Sequence, residues 1–183
     1  MLSYSFAEDA ELRMLERHHA EQLFALFDQN RAFLGQWLPE WDLQKSVEDC
    51  RTLIKSVLEQ FAANAGFTLG IWYKGRLAGV VGAGRIDWEN RSTNLGYWLG
   101  ESYQKKGLAT GACRAVIDYM FSELQLKRLE IRCATNNPRS RAIPKRLGFT
   151  KEGVLRQSQA FNDHYLDIEV YGLLAEEWNQ VTE

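Results

Sequence analysis

Only three cysteines occur in the 183 residues: Cys50, Cys113 and Cys133. Their odd number and wide spacing exclude a disulfide framework or a cysteine metal site. They read as buried thiols of a cytoplasmic protein. The three histidines, His18, His19 and His164, assemble no metal-ligand set. No apolar run is long enough to cross a bilayer, so no membrane partner is expected. The stretch Met1-Leu2-Ser3-Tyr4-Ser5-Phe6-Ala7-Glu8 lacks the basic and apolar regions of a signal peptide. Repeats, low-complexity segments and linkers are missing, as are a Walker sequence and a Gly-x-Ser-x-Gly elbow. Gly82-Ala83-Gly84 begins like a dinucleotide fingerprint, but the pattern breaks at Asp87 and lies within a strand hairpin.

What is present fits one α/β domain over residues 1–183, with hydrophobic residues at 45% and charged residues at 25%. The net charge of -2 hides a partition. Residues 1–100 carry 10 Lys and Arg against 13 Asp and Glu; residues 101–156 carry 12 against 5; residues 157–183 carry none against 6. A basic segment between acidic flanks suits a polyanionic small ligand. Nucleic acid is not expected, because no stripe of interleaved aromatic and basic residues occurs.

Periodicity predicts the element order. Residues 11–16 alternate as a strand, and Ala20, Leu23, Phe24 and Phe27 mark an amphipathic helix from His19. A short apolar segment at 33–38 is stopped by Pro39. Ser46 caps a helix over 47–61, with Gly66 closing it. Strands follow at 67–73, 76–86 and 94–99, with turns at Lys74-Gly75 and 87–91. A helix over 109–123 leads to a strand at 128–134. Asn137 caps, and Pro138 opens, a helix ended by Gly148. Strands at 150–156 and 165–174 and a terminal helical turn at 175–180 complete a mixed, mostly antiparallel sheet of about seven strands.

The chain is organised around residues 95–149. Its centre is Gln104-Lys105-Lys106-Gly107-Leu108-Ala109-Thr110, between a strand and a helix start. The first turn of a helix has unpaired N–H groups and the positive end of the dipole. Gly107 admits a ligand close to the backbone, Ala109 adds little bulk and Thr110 can hydrogen-bond locally. A diphosphate is the expected occupant.

About thirty residues on comes Asn137-Pro138-Arg139-Ser140, then Lys145-Arg146-Leu147-Gly148-Phe149. This ordered set resembles the acyl-CoA-binding core of the GNAT superfamily of N-acetyltransferases. Leu95-Gly96-Tyr97-Trp98, Asn-x-x-Ser, Leu12-Arg13-Met14-Leu15 and Trp37-Leu38-Pro39 resemble its ribosomal-protein N-terminal acetyltransferase branch. The resemblance implies that acetyl-CoA is the co-substrate, with no metal, and that its pyrophosphate sits on the backbone of turn 104–110. It implies a pantetheine arm between splayed strands 94–99 and 128–134, with Asn137 on that arm. The thioester carbonyl would meet a backbone N–H of Leu99 or Gly100. Lys105, Lys106 and Arg146 are candidates for the phosphates.

The implied chemistry is direct attack of an amine on the thioester through a tetrahedral intermediate. Many relatives protonate the leaving thiolate with a Tyr whose place here is taken by Pro144. Ser140 matches the Ser proposed as general acid in the ribosomal branch. Pro144 also lacks the N–H that would bond the Ser140 carbonyl. The general base stays unassigned. The carboxylates that relatives carry are replaced by Asn94 and Gln159, amides able to orient water. Glu101, Asp87, His164 and Asp167 remain as candidates.

The acceptor would enter opposite CoA, between the N-terminal helices and the last strands, past Trp37, Trp41, Trp88 and Tyr97. The acidic flanks favour a cationic amine. Three functions are compatible: acetylation of a protein N-terminus, acetylation of a small amine such as a polyamine or aminoglycoside, or non-catalytic acetyl-CoA sensing. A homo-oligomer is compatible with all three.

Overall fold

The computed structural model describes residues 3–38 and 44–181, without the side chains of residues 179–181. Its strands are β1 (Ser3–Ala7), β2 (Ala10–Met14), β3 (Phe67–Tyr73), β4 (Arg76–Ala83), β5 (Ser92–Leu99), β6 (Arg128–Ala134), β7 (Thr150–Phe161) and β8 (His164–Leu174). Its helices are α1 (Ala20–Gln29), α2 (Arg31–Leu34), α3 (Val47–Ala62), α4 (Leu108–Ser122), α5 (Pro138–Arg146) and α6 (Ala175–Val181). The strands form one sheet in the order β1-β2-β3-β4-β5-β6-β8-β7. The count is eight, not about seven. The additional strand, β1, is an edge strand with an almost wholly exposed pattern, so it lacks the half-buried alternation that reveals a strand.

Local chemistry accounts for the boundaries. The Ser46 side chain accepts from the Asp49 N–H and caps α3. That helix ends at Ala62, before Gly66, which sits at φ +147° where a Cβ would strike the Gly84 carbonyl. Lys74 and Gly75, both at positive φ, make the tight turn between β3 and β4. The Asp87 carboxylate accepts from the Asn90 backbone and side chain, closing the turn before β5.

Alternation along each strand divides the core into two layers. Ile71, Val81, Leu95, Leu99, Leu129 and Ile131 pack with Val116, Ile117 and Met120 of α4. Trp72, Leu77 and Trp98 face the other side, against Leu23, Phe27 and Ile54 of α1 and α3. Every neighbouring strand pair is antiparallel except β5 and β6, whose parallel register covers only Ser92↔Arg128, Thr93↔Leu129 and Asn94↔Glu130. Past Asn94 the two strands diverge. β5 stays paired with β4 as far as Leu99, and β6 with β8 as far as Ala134. The splay opens in mid-sheet, at the C-terminal end of β5.

Candidate active site

A cavity of about 990 Å³ passes through this splay. On the α4 side it is lined by Leu95, Tyr97, Gln104, Lys105, Gly107, Leu108, Ala109, Thr110, Cys133, Asn137 and Ser140. On the opposite side it reaches Phe33, Trp37, Gln60, Gly82, Gly84, Asn94, Gly96, Trp98 and Gln159. Gly82 and Gly84 are therefore site residues, although they form no dinucleotide motif. A Cβ built on Gly96 meets nothing within 4 Å, so side-chain absence there leaves the passage open.

The predicted anion seat has the required backbone. Gly107 is the N-cap of α4 at φ +75°, and Lys105 lies at φ +60°. The N–H groups of Leu108, Ala109 and Thr110 belong to the first turn, where the helix itself supplies no carbonyl partner. The Gly111 N–H is the first to return, to the Gly107 carbonyl at 2.9 Å. Lys105 and Arg146 line the cavity, whereas Lys106 is exposed beside it. Two fixings place the turn. Asn30 at the end of α1 accepts from the Glu101 N–H at 2.7 Å and donates to the Leu26 carbonyl at 2.8 Å. Arg139 of α5 donates to the Gln104 side chain at 3.0 Å.

The strand edges facing the splay carry unpaired backbone groups. The Gly84 N–H donates to the Asn94 carbonyl, and the Gly100 N–H to the Ala78 carbonyl at 2.9 Å. By the alternation of an antiparallel ladder, Tyr97 and Leu99 turn their N–H groups away from β4 and into the splay. Of the two amides considered for the thioester carbonyl, Gly100 is thus engaged in the sheet and Leu99 is directed into the cavity.

Ser140 stands in the throat. The Asn137 side chain caps α5 by accepting from the Ser140 N–H at 3.0 Å. The Ser140 hydroxyl lies 3.2 Å from the Cys133 Sγ and 3.4 Å from the Tyr97 hydroxyl. Burial pushes the Cys133 thiol up and the Tyr97 phenol well above its usual range, so both keep their protons at neutral pH. Nothing in the sequence pairs these residues; β5, β6 and α5 bring them together.

The base candidates sit elsewhere. Glu101 is exposed on a short 3-10 turn. Asp87 is held in its turn, Asp167 accepts from the Gln157 N–H at 2.7 Å, and His164 is exposed on the β7–β8 hairpin beside Asp163 at 3.1 Å. None of the four lines the cavity. Asn94 and Gln159 do. Trp37 lines the passage too, whereas Trp88 lies outside it, 41% exposed and donating to the Asn64 carbonyl. Trp41 lies outside the described residues. Among the described residues the charged lining is Lys105, Arg132, Arg139 and Arg146. The acidity of the flanks therefore does not extend to these walls.

A family model described as an acetyltransferase (GNAT) domain matches residues 10–150. YdaF of Bacillus subtilis (strain 168) is 37% identical over 179 residues, covering 97% of this chain and 98% of that protein. The ribosomal-protein-serine acetyltransferase of Escherichia coli (strain K12) is 31% identical over 165 residues, 90% of this chain and 92% of that protein. A solved structure of RimL, a ribosomal L7/L12 alpha-N-protein acetyltransferase in complex with coenzyme A, is similar with a TM-score of 0.91 at 26% identity. The match covers 94% of this chain and 97% of that one.

Proposed function

Because the chain belongs to the GNAT family of acetyltransferases, we propose that it transfers the acetyl group of acetyl-CoA to the N-terminal α-amine of a ribosomal protein. The observation that carries the donor side is the splay of β5 from β6, with a glycine-capped helix start at one end and Ser140 in its throat. The acceptor is argued from relatives: the Escherichia coli protein and RimL are both named for ribosomal-protein acetylation.

The first turn of α4, with Lys105 and Arg146, holds the diphosphate. The pantetheine amides pair with the strand edges that the splay leaves open. The Leu99 N–H hydrogen-bonds the thioester oxygen, where negative charge develops as the amine attacks. The new N–C bond forms and the C–S bond breaks. Ser140 Oγ donates its proton to the departing sulfur and takes one back from solvent water, so that the net transfer is of the amine's proton to the thiol. The proton lost by the amine passes to water ordered by Asn94 and Gln159. The acceptor approaches over Gly96, between Trp37 and Gln159.

The test is turnover, followed by thiol release and mass spectrometry. Its panel holds peptides with free ribosomal-protein N-termini, the same peptides with blocked α-amines and an internal lysine, spermidine and an aminoglycoside. Acetylation confined to free α-amines is expected. Turnover only with polyamine or aminoglycoside would replace the acceptor class. No turnover across the panel, with acetyl-CoA still bound, would replace catalysis with sensing.

A further inference from the structure

Pro144 leaves the Ser140 carbonyl without its helical donor, and its ring crowds that carbonyl four residues back. Buried carbonyls are rarely left without a partner. In this structure the donor comes from across the sheet: the Tyr97 hydroxyl meets the Ser140 carbonyl oxygen at 3.0 Å. Tyr97 is on β5, 43 residues earlier, and reaches α5 through the same splay that forms the cavity. The same hydroxyl lies 3.4 Å from Ser140 Oγ. We propose that Tyr97 is a positioning residue for Ser140, replacing the helix hydrogen bond that Pro144 abolishes and setting the rotation of the first turn of α5.

The proposal rests on the reading of Ser140 as the proton donor. Three features make Tyr97 suited to the task. Its phenol has one O–H, and giving it to the carbonyl leaves the Ser140 proton available to the leaving sulfur. Burial holds that phenol protonated, so the donor persists over the working pH range. Its ring packs against the core layer under α4, which fixes where the hydroxyl can be. Asn137 and Tyr97 then hold Ser140 at both of its backbone polar groups: Asn137 accepts from the N–H and Tyr97 donates to the carbonyl.

Tyr97→Phe removes the donor and keeps the ring. Its kcat is expected to fall ~10-fold, the size that one unmet buried acceptor can produce, with the KM for acetyl-CoA little changed. Pro144→Ala restores a helical N–H, so alone it should turn over like the parent. The decisive variant is Tyr97→Phe with Pro144→Ala. Recovery of most of the lost kcat, together with the lost thermal midpoint, supports the exchange of one hydrogen bond for the other. A double variant as slow as Tyr97→Phe overturns it, as does an unchanged kcat in Tyr97→Phe. Ser140→Ala separates the two claims. If its kcat is normal, the Ser140 reading fails and positioning for catalysis fails with it, while recovery of the thermal midpoint still reports the hydrogen-bond exchange.

Discussion

Gly107 joins a backbone requirement to a ligand requirement. At φ +75° it occupies the left-handed region, and a Cβ there would meet no protein atom within 4 Å. Packing therefore does not exclude a side chain; conformation and the occupant of the seat do. A β-branched residue in that region costs about 1–2 kcal/mol of backbone strain and sets methyl groups over the first turn of α4. Gly107→Val is expected to weaken acetyl-CoA binding more than ~100-fold, since it removes close approach as well as backbone geometry. Titration calorimetry reads this directly, and unchanged affinity would remove the diphosphate seat from turn 104–110. Ser140 gives a complementary split. Ser140→Ala should lower kcat about 100-fold, the lower range for losing an acid catalyst, and leave the acetyl-CoA KM nearly constant. Equal losses in the two would make Ser140 a binding residue. Residues that act within one turn were legible in the sequence: Ser46 and Asn137 as caps, Gly107 at the helix start. The meeting of Tyr97, Cys133 and Ser140 was not, because pairing across a sheet leaves no mark at fixed spacing.

Among the elements, α5 carries Arg139, Ser140 and Arg146 of the cavity lining and needs an anchor beyond its cap. That anchor is Glu169 of β8, buried at 3% exposure. Its carboxylate accepts from Arg141 of α5 at 2.7 Å and from Lys151 of β7 at 2.8 Å, and Tyr171 adds a third hydrogen bond. Burial alone would raise the Glu169 pKa; these donors more than offset it and hold it at about 2, against 4.5 for the free side chain. The folded-state value is depressed, so the stabilisation is full above pH ~4.5 and is lost as pH falls toward 2. Glu169→Gln should flatten the fall of the thermal midpoint across that window while lowering the midpoint at neutral pH. Parallel curves for variant and parent would show that the cluster does not couple α5 to the sheet. β6 was read at its observed limits because its faces alternate cleanly, and β3 because Gly66 and the Lys74-Gly75 turn bound it. β7 was read only to residue 156. It runs on to Phe161 through a register shift between Leu155 and Gln159, where Gln157 takes a positive φ and alternation breaks.

For the molecule as a whole, the splay means that two half-sheets share only three residue pairs between β5 and β6. Charge partition and motif order pointed to residues 95–149 as the cofactor segment, and that segment supplies most of the cavity lining. The basic side chains on the described walls, Lys105, Arg132, Arg139 and Arg146, all come from the basic segment; that no acid of the flanks joins them there was not legible, because net charge does not say which way side chains point. The geometry of the gap gives a register-specific expectation. Along β5 the N–H groups of Tyr97 and Leu99 face the splay, while that of Trp98 faces β4. On β6, the Thr135 N–H bonds the Asp167 carbonyl and the Ala175 N–H bonds the Lys127 carbonyl. The ladder therefore pairs Ile131 and Cys133 with β8 and turns the N–H groups of Arg132 and Ala134 into the gap. An extended arm bridging the two edges protects alternate amides on each strand. Hydrogen exchange with and without acetyl-CoA should slow at Tyr97, Leu99, Arg132 and Ala134 beyond any change at Trp98 and Cys133. Uniform protection of both sets would reflect general stiffening of the fold by ligand. Protection confined to turn 104–110 would mean that the diphosphate binds there while the arm runs outside the sheet.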